Sequence, residues 1–119
     1  INHHVNILAL YTKLTVNNIR DVFCDVDVLV EAFDKAESKK WLIEKWAQVC
    51  KDKLIVCANG HSSIGNTEDI KVVKLTDKII FCGDGKTDMS LDLCASRVAI
   101  VANMQANIVM EYLYKSKKV

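Results

Sequence analysis

Leu54–Ala58 (LIVCA) is a run of five apolar residues with no polar position on either side of a two-residue repeat. A strand of that composition needs cover on both faces, as in a parallel sheet sandwiched between helices. Upstream, Val26–Glu31 (VDVLVE) is a second, largely apolar stretch of strand length. Between the two lies a segment of helical periodicity. Leu42, Trp46 and Val49 form one stripe, flanked by Ile43, Ala47 and Cys50. Asp34-Lys-Ala-Glu37 stands at its start with the spacing of a capping box. Strand, helix, strand in this order predicts a parallel pair joined by a crossover.

The flanks extend the same pattern. Val5–Tyr11 (VNILALY) reads as a strand, followed by a short helix over Val16–Phe23. Ile70–Leu75 and Lys78–Cys82 are two further strands separated by Thr76-Asp77, which predicts an antiparallel hairpin. A long helix is expected from Leu93 to Tyr114. The expected fold class is therefore α/β, in three layers. Its sheet is mostly parallel with an antiparallel edge hairpin, and it ends in a long apolar C-terminal helix. Ligands of such sheets sit at the carboxyl ends of the strands. Those ends fall near Phe33-Asp34, Asn59-Gly60 and Gly83-Asp84-Gly85.

The last helix carries apolar residues around most of its circumference, interrupted by Asn103, Gln105, Asn107 and Glu111. One small sheet covers one side only, so a second chain or a further part of the protein is expected against the rest. Trp41 shares a helical face with Ser38, Lys45 and Gln48, and reads either as part of a contact surface or as a single exposed aromatic without a role.

Length and charge narrow the function classes. The 119 residues suit one domain, and half of them are hydrophobic. Sixteen Lys and Arg nearly balance fifteen Asp and Glu, so no basic face for nucleic acid is implied. The Lys115–Lys118 cluster reads as a solvated tail. No apolar run has membrane-spanning length, and no stretch reads as a signal peptide. Five cysteines, an odd number with no close pair, argue against a disulfide framework and against a zinc site. Together these features predict a cytoplasmic protein. The chain opens on Ile1 rather than Met and has no proline to mark a linker.

Several motifs invite chemistry. Gly83-Asp-Gly-Lys-Thr87 lacks the earlier glycine of a phosphate loop, since Ile80 stands there; it reads as a turn. No G-x-G-x-x-G stretch is present. Asp34, just past a strand end and at a helix start, has two readings. It caps the helix, or it binds magnesium or a ribose hydroxyl. His61, Ser62 and Ser63 are adjacent in a loop with no orienting acid in sight, and His3 and His4 lack ligand partners. Cys57 and Cys82 end apolar strands and read as buried thiols, whereas Cys94, which opens the last helix, has two readings: a packed thiol, or a reactive one whose pKa the helix N-terminus lowers.

Four segments in order resemble the ThiF-like family of sulfur-carrier adenylyltransferases. Val26–Lys39 (VDVLVEAFDKAESK) is similar to that family's D-V-V-V-E-A-F-D-N-A-E-x-K segment, and Leu54–Gly60 (LIVCANG) to its next strand and glycine. Ile79–Gly85 (IIFCGDG) resembles its Y-I-C-G-D stretch, and Cys94–Asn107 (CASRVAIVANMQAN) its M-A-P-R-V-A-I-A-A-x-x-Q-A-N helix start. Ile1-Asn2 matches the I-N-P that opens the second half of the adenylation domain. The resemblance implies a Rossmann-like fragment: the C-terminal part of an enzyme related to ThiF, MoeB and the ubiquitin-activating enzymes.

Such enzymes use ATP and magnesium to adenylate the C-terminal glycine of a ubiquitin-like sulfur carrier, which in the ThiF case serves thiamine biosynthesis. By resemblance, Asp34 is the nucleotide and magnesium residue. Lys35, Gly60, Gly83, Asp84, Gly85 and Arg97 line the site, with no role assigned to Arg97. A carrier protein, an N-terminal half outside this chain and a homodimer through the last helix are the implied partners. The sequence departs from the pattern at Lys35 (Asn in the family), Cys94 (Met) and Ser96 (Pro), and lacks the zinc cysteine pairs of many relatives. The glycine-rich first turn and the phosphate-gripping basic residues belong to the other half, so this chain by itself is expected to be inactive.

Overall fold

The computed structural model describes residues 4–60, 64–85 and 94–117. It is an α/β fold built on one mixed four-stranded sheet. The elements are α1 (Ile19–Phe23), β1 (Val28–Val30), α2 (Ala36–Val49), β2 (Leu54–Ala58), β3 (Lys71–Thr76), β4 (Ile79–Gly83) and α3 (Ala95–Lys115). A short 3-10 turn, Thr67–Asp69, precedes β3.

Strand order is β1-β2-β4-β3. β1 and β2 pair in parallel, with Val28 opposite Leu54 and Val30 opposite Val56. β2 and β4 are also parallel, from Ile55 opposite Ile79 to Ala58 opposite Cys82. β3 closes the edge antiparallel to β4, with an irregularity between Lys74 and Thr76 at the hairpin. The expected hairpin and both inner strands are therefore present.

The alternation of β2 divides the core. Ile55 and Cys57 face one side, where they pack with Ile19, Leu29, Leu42, Trp46 and Cys50. Leu54, Val56 and Ala58 face the other, against Ile80, Cys82 and Val101. All five β2 residues are buried, which explains its continuous apolar composition. On the first face, α1 and α2 supply the cover. The indole Nε1–H of Trp46 donates to the Lys53 carbonyl at 3.2 Å, tying the end of α2 to the entry of β2.

Five expectations are corrected. Val5–Tyr11 is not a strand: Val5, Ile7, Leu8, Leu10 and Tyr11 are all exposed. A strand needs a ladder partner, and among the described residues this segment has none. The capping box does not form. Lys35, not Asp34, is the N-cap of α2, and it makes no side-chain capping bond. Trp41 is not a free contact residue, because it is half-buried against the α1–α2 core, its ring 6.0 Å from that of Phe33.

The last helix is long, at 21 residues, but not apolar all round. Its buried stripe is Arg97, Val101 and Gln105, two of them polar, and among the described residues no helix is long and apolar enough to cross a membrane. Lys115 lies in its last turn, where its exposed side chain pairs with Glu111 at 2.6 Å.

Finally, Cys24 and Cys50 form a disulfide, with Cα atoms 5.9 Å apart. Cys24 follows α1 and Cys50 follows α2, so packing of the two helices brings together thiols that are 26 positions apart in sequence. The argument for a reducing compartment rested on unpaired cysteines and loses that support.

Candidate functional site at the carboxyl ends of the strands

β1, β2 and β4 run in the same direction, so their carboxyl ends share one edge of the sheet. There the two following turns interlock. The Asn59 amide donates to the Cys82 carbonyl (2.8 Å), the Asp84 amide to the Gly60 carbonyl (2.9 Å) and the Gly85 amide to the Asn59 carbonyl (3.0 Å). These bonds carry the β2–β4 ladder past the strands. Two glycines make the approach possible. Gly60 has φ +79°, and a Cβ there would collide with the Asp84 carboxylate; Gly83 has φ +136°, and a Cβ there would collide with the Asn59 carbonyl. Gly60, Gly83, Asp84 and Gly85 are thus one structural unit.

Arg97 belongs to the same unit. From the first turns of α3 its Nη2 pairs with the Asp84 carboxylate, and both side chains are almost completely buried. Nη1 donates to the Asn66 carbonyl at 3.4 Å, and Gly65 lies against the same guanidinium. Among the described residues Nε has no partner. A buried charge needs an opposite charge and hydrogen bonds to remain ionised, and Asp84 supplies both. The residue to which sequence assigned no role is therefore the clamp between α3 and the glycine turns.

A second buried pair, Glu31 and Lys39, was missed in the sequence. Glu31 follows β1 and is 1% exposed. Its Oε2 accepts from the Phe33 amide at 2.7 Å and from Lys39 Nζ at 2.8 Å. Oε1 is buried with no partner among the described residues. Gln105 of α3 donates its side-chain amide to the Glu31 carbonyl (3.0 Å) and the Val56 carbonyl (3.2 Å). The available signal was a carboxylate closing an apolar strand with a lysine eight residues later. Gln105 was visible only as an interruption in an apolar helix.

Asp34 stands in the turn between β1 and α2 and is exposed, as is Lys35 beside it. Among the described residues no hydrogen bond ties the Asp34 carboxylate to α2. Its capping role thus falls away, which leaves the carboxylate open to a ligand. Among the same residues no group of three or more His, Cys, Asp or Glu is arranged to hold a metal. Magnesium is commonly held by one or two carboxylates with the rest from phosphate and water, so a single Asp34 fits the ion when a nucleotide brings the other ligands. A triphosphate fits less well, because Arg97 is committed to Asp84 and Lys39 to Glu31.

The free thiols separate by environment. Burial, with Glu31 adding and Lys39 opposing, pushes Cys57 up to about 12, and burial pushes Cys82 up to about 11. Both are inert packing groups at neutral pH. Cys94 is shifted down, first by its hydrogen bond with Ser96 (3.2 Å apart) and then by the Arg97 backbone. His3, His61, Ser62, Ser63, Lys86 and Thr87 lie outside the described residues.

Two hollows flank this edge and the sheet. A small one of about 140 Å³ lies beside the glycine turns, lined by Asn59, Lys71, Phe81, Gly83 and Asp84. A larger groove of about 930 Å³ runs between α3 and the β3–β4 hairpin, lined by Leu54, Val72, Ile80, Ile100, Met104 and Ile108 among others. No family model, no curated protein and no solved structure matches this chain.

Proposed function

We propose that the chain is the C-terminal part of a Rossmann-like, ThiF-like adenylyltransferase that activates the C-terminal glycine of a ubiquitin-like, ThiS-like sulfur carrier in thiamine biosynthesis. The observation that carries this reading is the common edge of β1, β2 and β4. It gathers the Asp34 turn, the Gly60 turn and the Gly83–Gly85 turn, the segments on which the family resemblance rests. In this reading the Asp34 carboxylate faces magnesium and the nucleotide. The interlocked glycines keep side chains away from the strand ends, so that a ligand meets backbone there. Arg97 holds those turns rather than phosphate, since Asp84 already neutralises it.

When bound, magnesium and ATP supply an electrophilic α-phosphorus and a screened pyrophosphate leaving group. The cradle for that triphosphate is assigned to the N-terminal half of the adenylation domain. The 119 residues alone are therefore inactive in this reading. ATP–pyrophosphate exchange with a carrier ending in Gly-Gly tests it in the intact protein. Exchange should be carrier-dependent and should fall by at least about 100-fold in Asp34→Ala with folding retained. Absence of exchange with every such carrier would overturn the assignment.

A second reading has its own observation. The α3–hairpin groove and the exposed Val72, Val73 and Leu75 of β3 are apolar surface of the kind that binds another chain. A non-catalytic protein-binding or dimerisation module of the same fold would use it. Homodimerisation through α3 is compatible with both readings, and binding of a carrier without exchange would select the second.

A further inference from the structure

Glu31 is held at every polar atom of its backbone. Its amide donates to the Val56 carbonyl at 2.9 Å, and its own carbonyl accepts from Gln105 at 3.0 Å. The β1 terminus is thereby fixed to β2 and α3. Beyond it the chain must turn through Ala32–Lys35 into α2, and that turn carries Asp34. Neither a sheet ladder nor a helix cap stabilises it, since β1 ends at Val30 and the N-cap Lys35 makes no side-chain bond.

The Glu31 carboxylate takes over that task. One oxygen, Oε2, accepts both the Phe33 amide (2.7 Å) and Lys39 Nζ (2.8 Å). It thus joins the strand end, the middle of the turn and the first turns of α2 at a single point. On the outer side the Phe33 ring rests on Trp41. An apolar residue at position 31 would avoid burying a charge, and buried pairs of this type contribute little to stability as such. What a carboxylate adds here is geometry, because it accepts two donors whose directions define the turn.

We infer that Glu31, clasped by Lys39, is the positioning residue for Asp34: it fixes the Phe33–Asp34 turn so that the Asp34 carboxylate points out of the strand edge toward its ligand. This rests on the adenylyltransferase reading for what Asp34 does, but not for the clasp itself. Glu31 is 1% exposed and acts through the turn. Both residues lie within the Val26–Lys39 segment of the resemblance, which assigned neither of them a role.

Two readouts separate the possibilities. The first is hydrogen exchange at the Phe33 amide, which needs no activity. In Glu31→Gln, which keeps shape and loses charge, that amide should exchange at least about tenfold faster, with the β2 amides unchanged. Lys39→Met should act in the same direction and Lys39→Arg should restore protection.

The second readout is the magnesium dependence of ATP–pyrophosphate exchange in the intact protein. Glu31→Gln should lower kcat about tenfold or more and raise the magnesium concentration for half-maximal rate, with Lys39→Arg near the unaltered protein. An unchanged Phe33 amide in Glu31→Gln overturns the inference, and so does an unchanged rate where Asp34→Ala abolishes exchange. If Asp34→Ala leaves exchange intact, or the unaltered protein catalyses none, the adenylyltransferase reading fails instead. The clasp then stands or falls on the Phe33 amide alone. A global loss of protection in Glu31→Gln, reaching the β2 amides as well as Phe33, would make the pair merely structural and also overturns the inference.

Discussion

The two faces of the sheet are closed by different physics. On the α1–α2 face, Leu42 and Trp46 fill the space over Ile55 and Cys57, and the Cys24–Cys50 bridge fastens the two helices together. On the opposite face one helix lies across two strands, and of its three buried residues two are polar: Arg97 reaches Asp84 and Gln105 reaches the carbonyls of Glu31 and Val56. The first face is sealed by apolar volume, with the buried Glu31–Lys39 pair at its strand-end edge. The second is pinned at discrete polar points and leaves a groove of about 930 Å³ beside them. Apolar packing tolerates repacking, whereas a buried ion pair has no substitute geometry when one partner is removed. The polar face is thus the more fragile of the two, and it is the one that borders the glycine turns.

The sharpest way to break this contrast is at Arg97. Arg97→Met takes the guanidinium away from the buried Asp84 carboxylate, and breaking a buried pair in this way costs about 3–5 kcal/mol. Adding Asp84→Asn should recover most of that, because the side chain that Arg97 neutralised is then uncharged. Urea unfolding of the two single variants and the double gives the coupling directly. A loss below about 1 kcal/mol in Arg97→Met would show that α3 is held by its apolar contacts and that the polar points are incidental.

The sealed face has its own fastening. The disulfide closes a loop spanning 26 positions in sequence, and chain entropy for a loop of that size is about 3 kcal/mol. Cys24→Ser, or reduction with a dithiol, should lower the urea midpoint by a corresponding amount. Mass spectrometry of the protein alkylated in denaturant without reduction should find three modified cysteines, Cys57, Cys82 and Cys94. Five modified cysteines would mean that the bridge is open and that the α1–α2 face relies on packing alone.

These two regions also differ in how far they could be read from sequence. LIVCA predicted a doubly covered strand because its composition is the direct consequence of burial on both sides. The hairpin was legible for a similar local reason, two β-rich runs with a two-residue gap. By contrast, the Cys24–Cys50 bridge, the Glu31–Lys39 pair and the Arg97–Asp84 pair depend on tertiary contact between residues 26, 8 and 13 positions apart. Nothing in local periodicity encodes them. Val5–Tyr11 failed in the other direction. Its β propensity is real, but propensity without a neighbouring strand forms no ladder. The capping box failed because α2 begins two residues after Asp34, so the spacing was right and the register was not. At the candidate site, the glycines, Asp34, Asp84 and Arg97 were marked in advance by resemblance, whereas the pairing of Arg97 with Asp84 and of Glu31 with Lys39 was not.

A finer comparison uses one thiol from each face. Cys57 packs on the α1–α2 side and Cys82 on the α3 side. Both pKa values are raised in the folded state, Cys57 further because it is more deeply buried, with Glu31 adding and Lys39 opposing. A thiol whose folded pKa lies above its unfolded value of 9.0 contributes in full below that pH. The contribution is lost as pH climbs toward about 12 for Cys57 and about 11 for Cys82. Between about pH 8 and 10, each should account for about 1 kcal/mol of the fall in stability. Cys57→Ala and Cys82→Ala should flatten the alkaline slope by that amount. Above about pH 11 the Cys57 effect should continue after the Cys82 effect has ended, and equal slopes there would remove the distinction between the faces.

The smallest expected effect concerns the outer side of α3. Met110 is 54% exposed and lies outside the groove, so lysine there removes little buried area and keeps helix propensity. Met110→Lys should therefore change the unfolding free energy of the protomer by less than about 0.5 kcal/mol. If α3 is also the proposed dimer surface, the same substitution places a charge in a desolvated contact. Sedimentation at micromolar concentration should then shift toward the single chain while the protomer's stability holds. The two measurements discriminate because they read different states. A fall in protomer stability above about 1 kcal/mol would mean that the chain itself covers this side of α3. Unchanged sedimentation with unchanged stability would leave the groove between α3 and the hairpin, rather than the back of the helix, as the surface through which a partner is held.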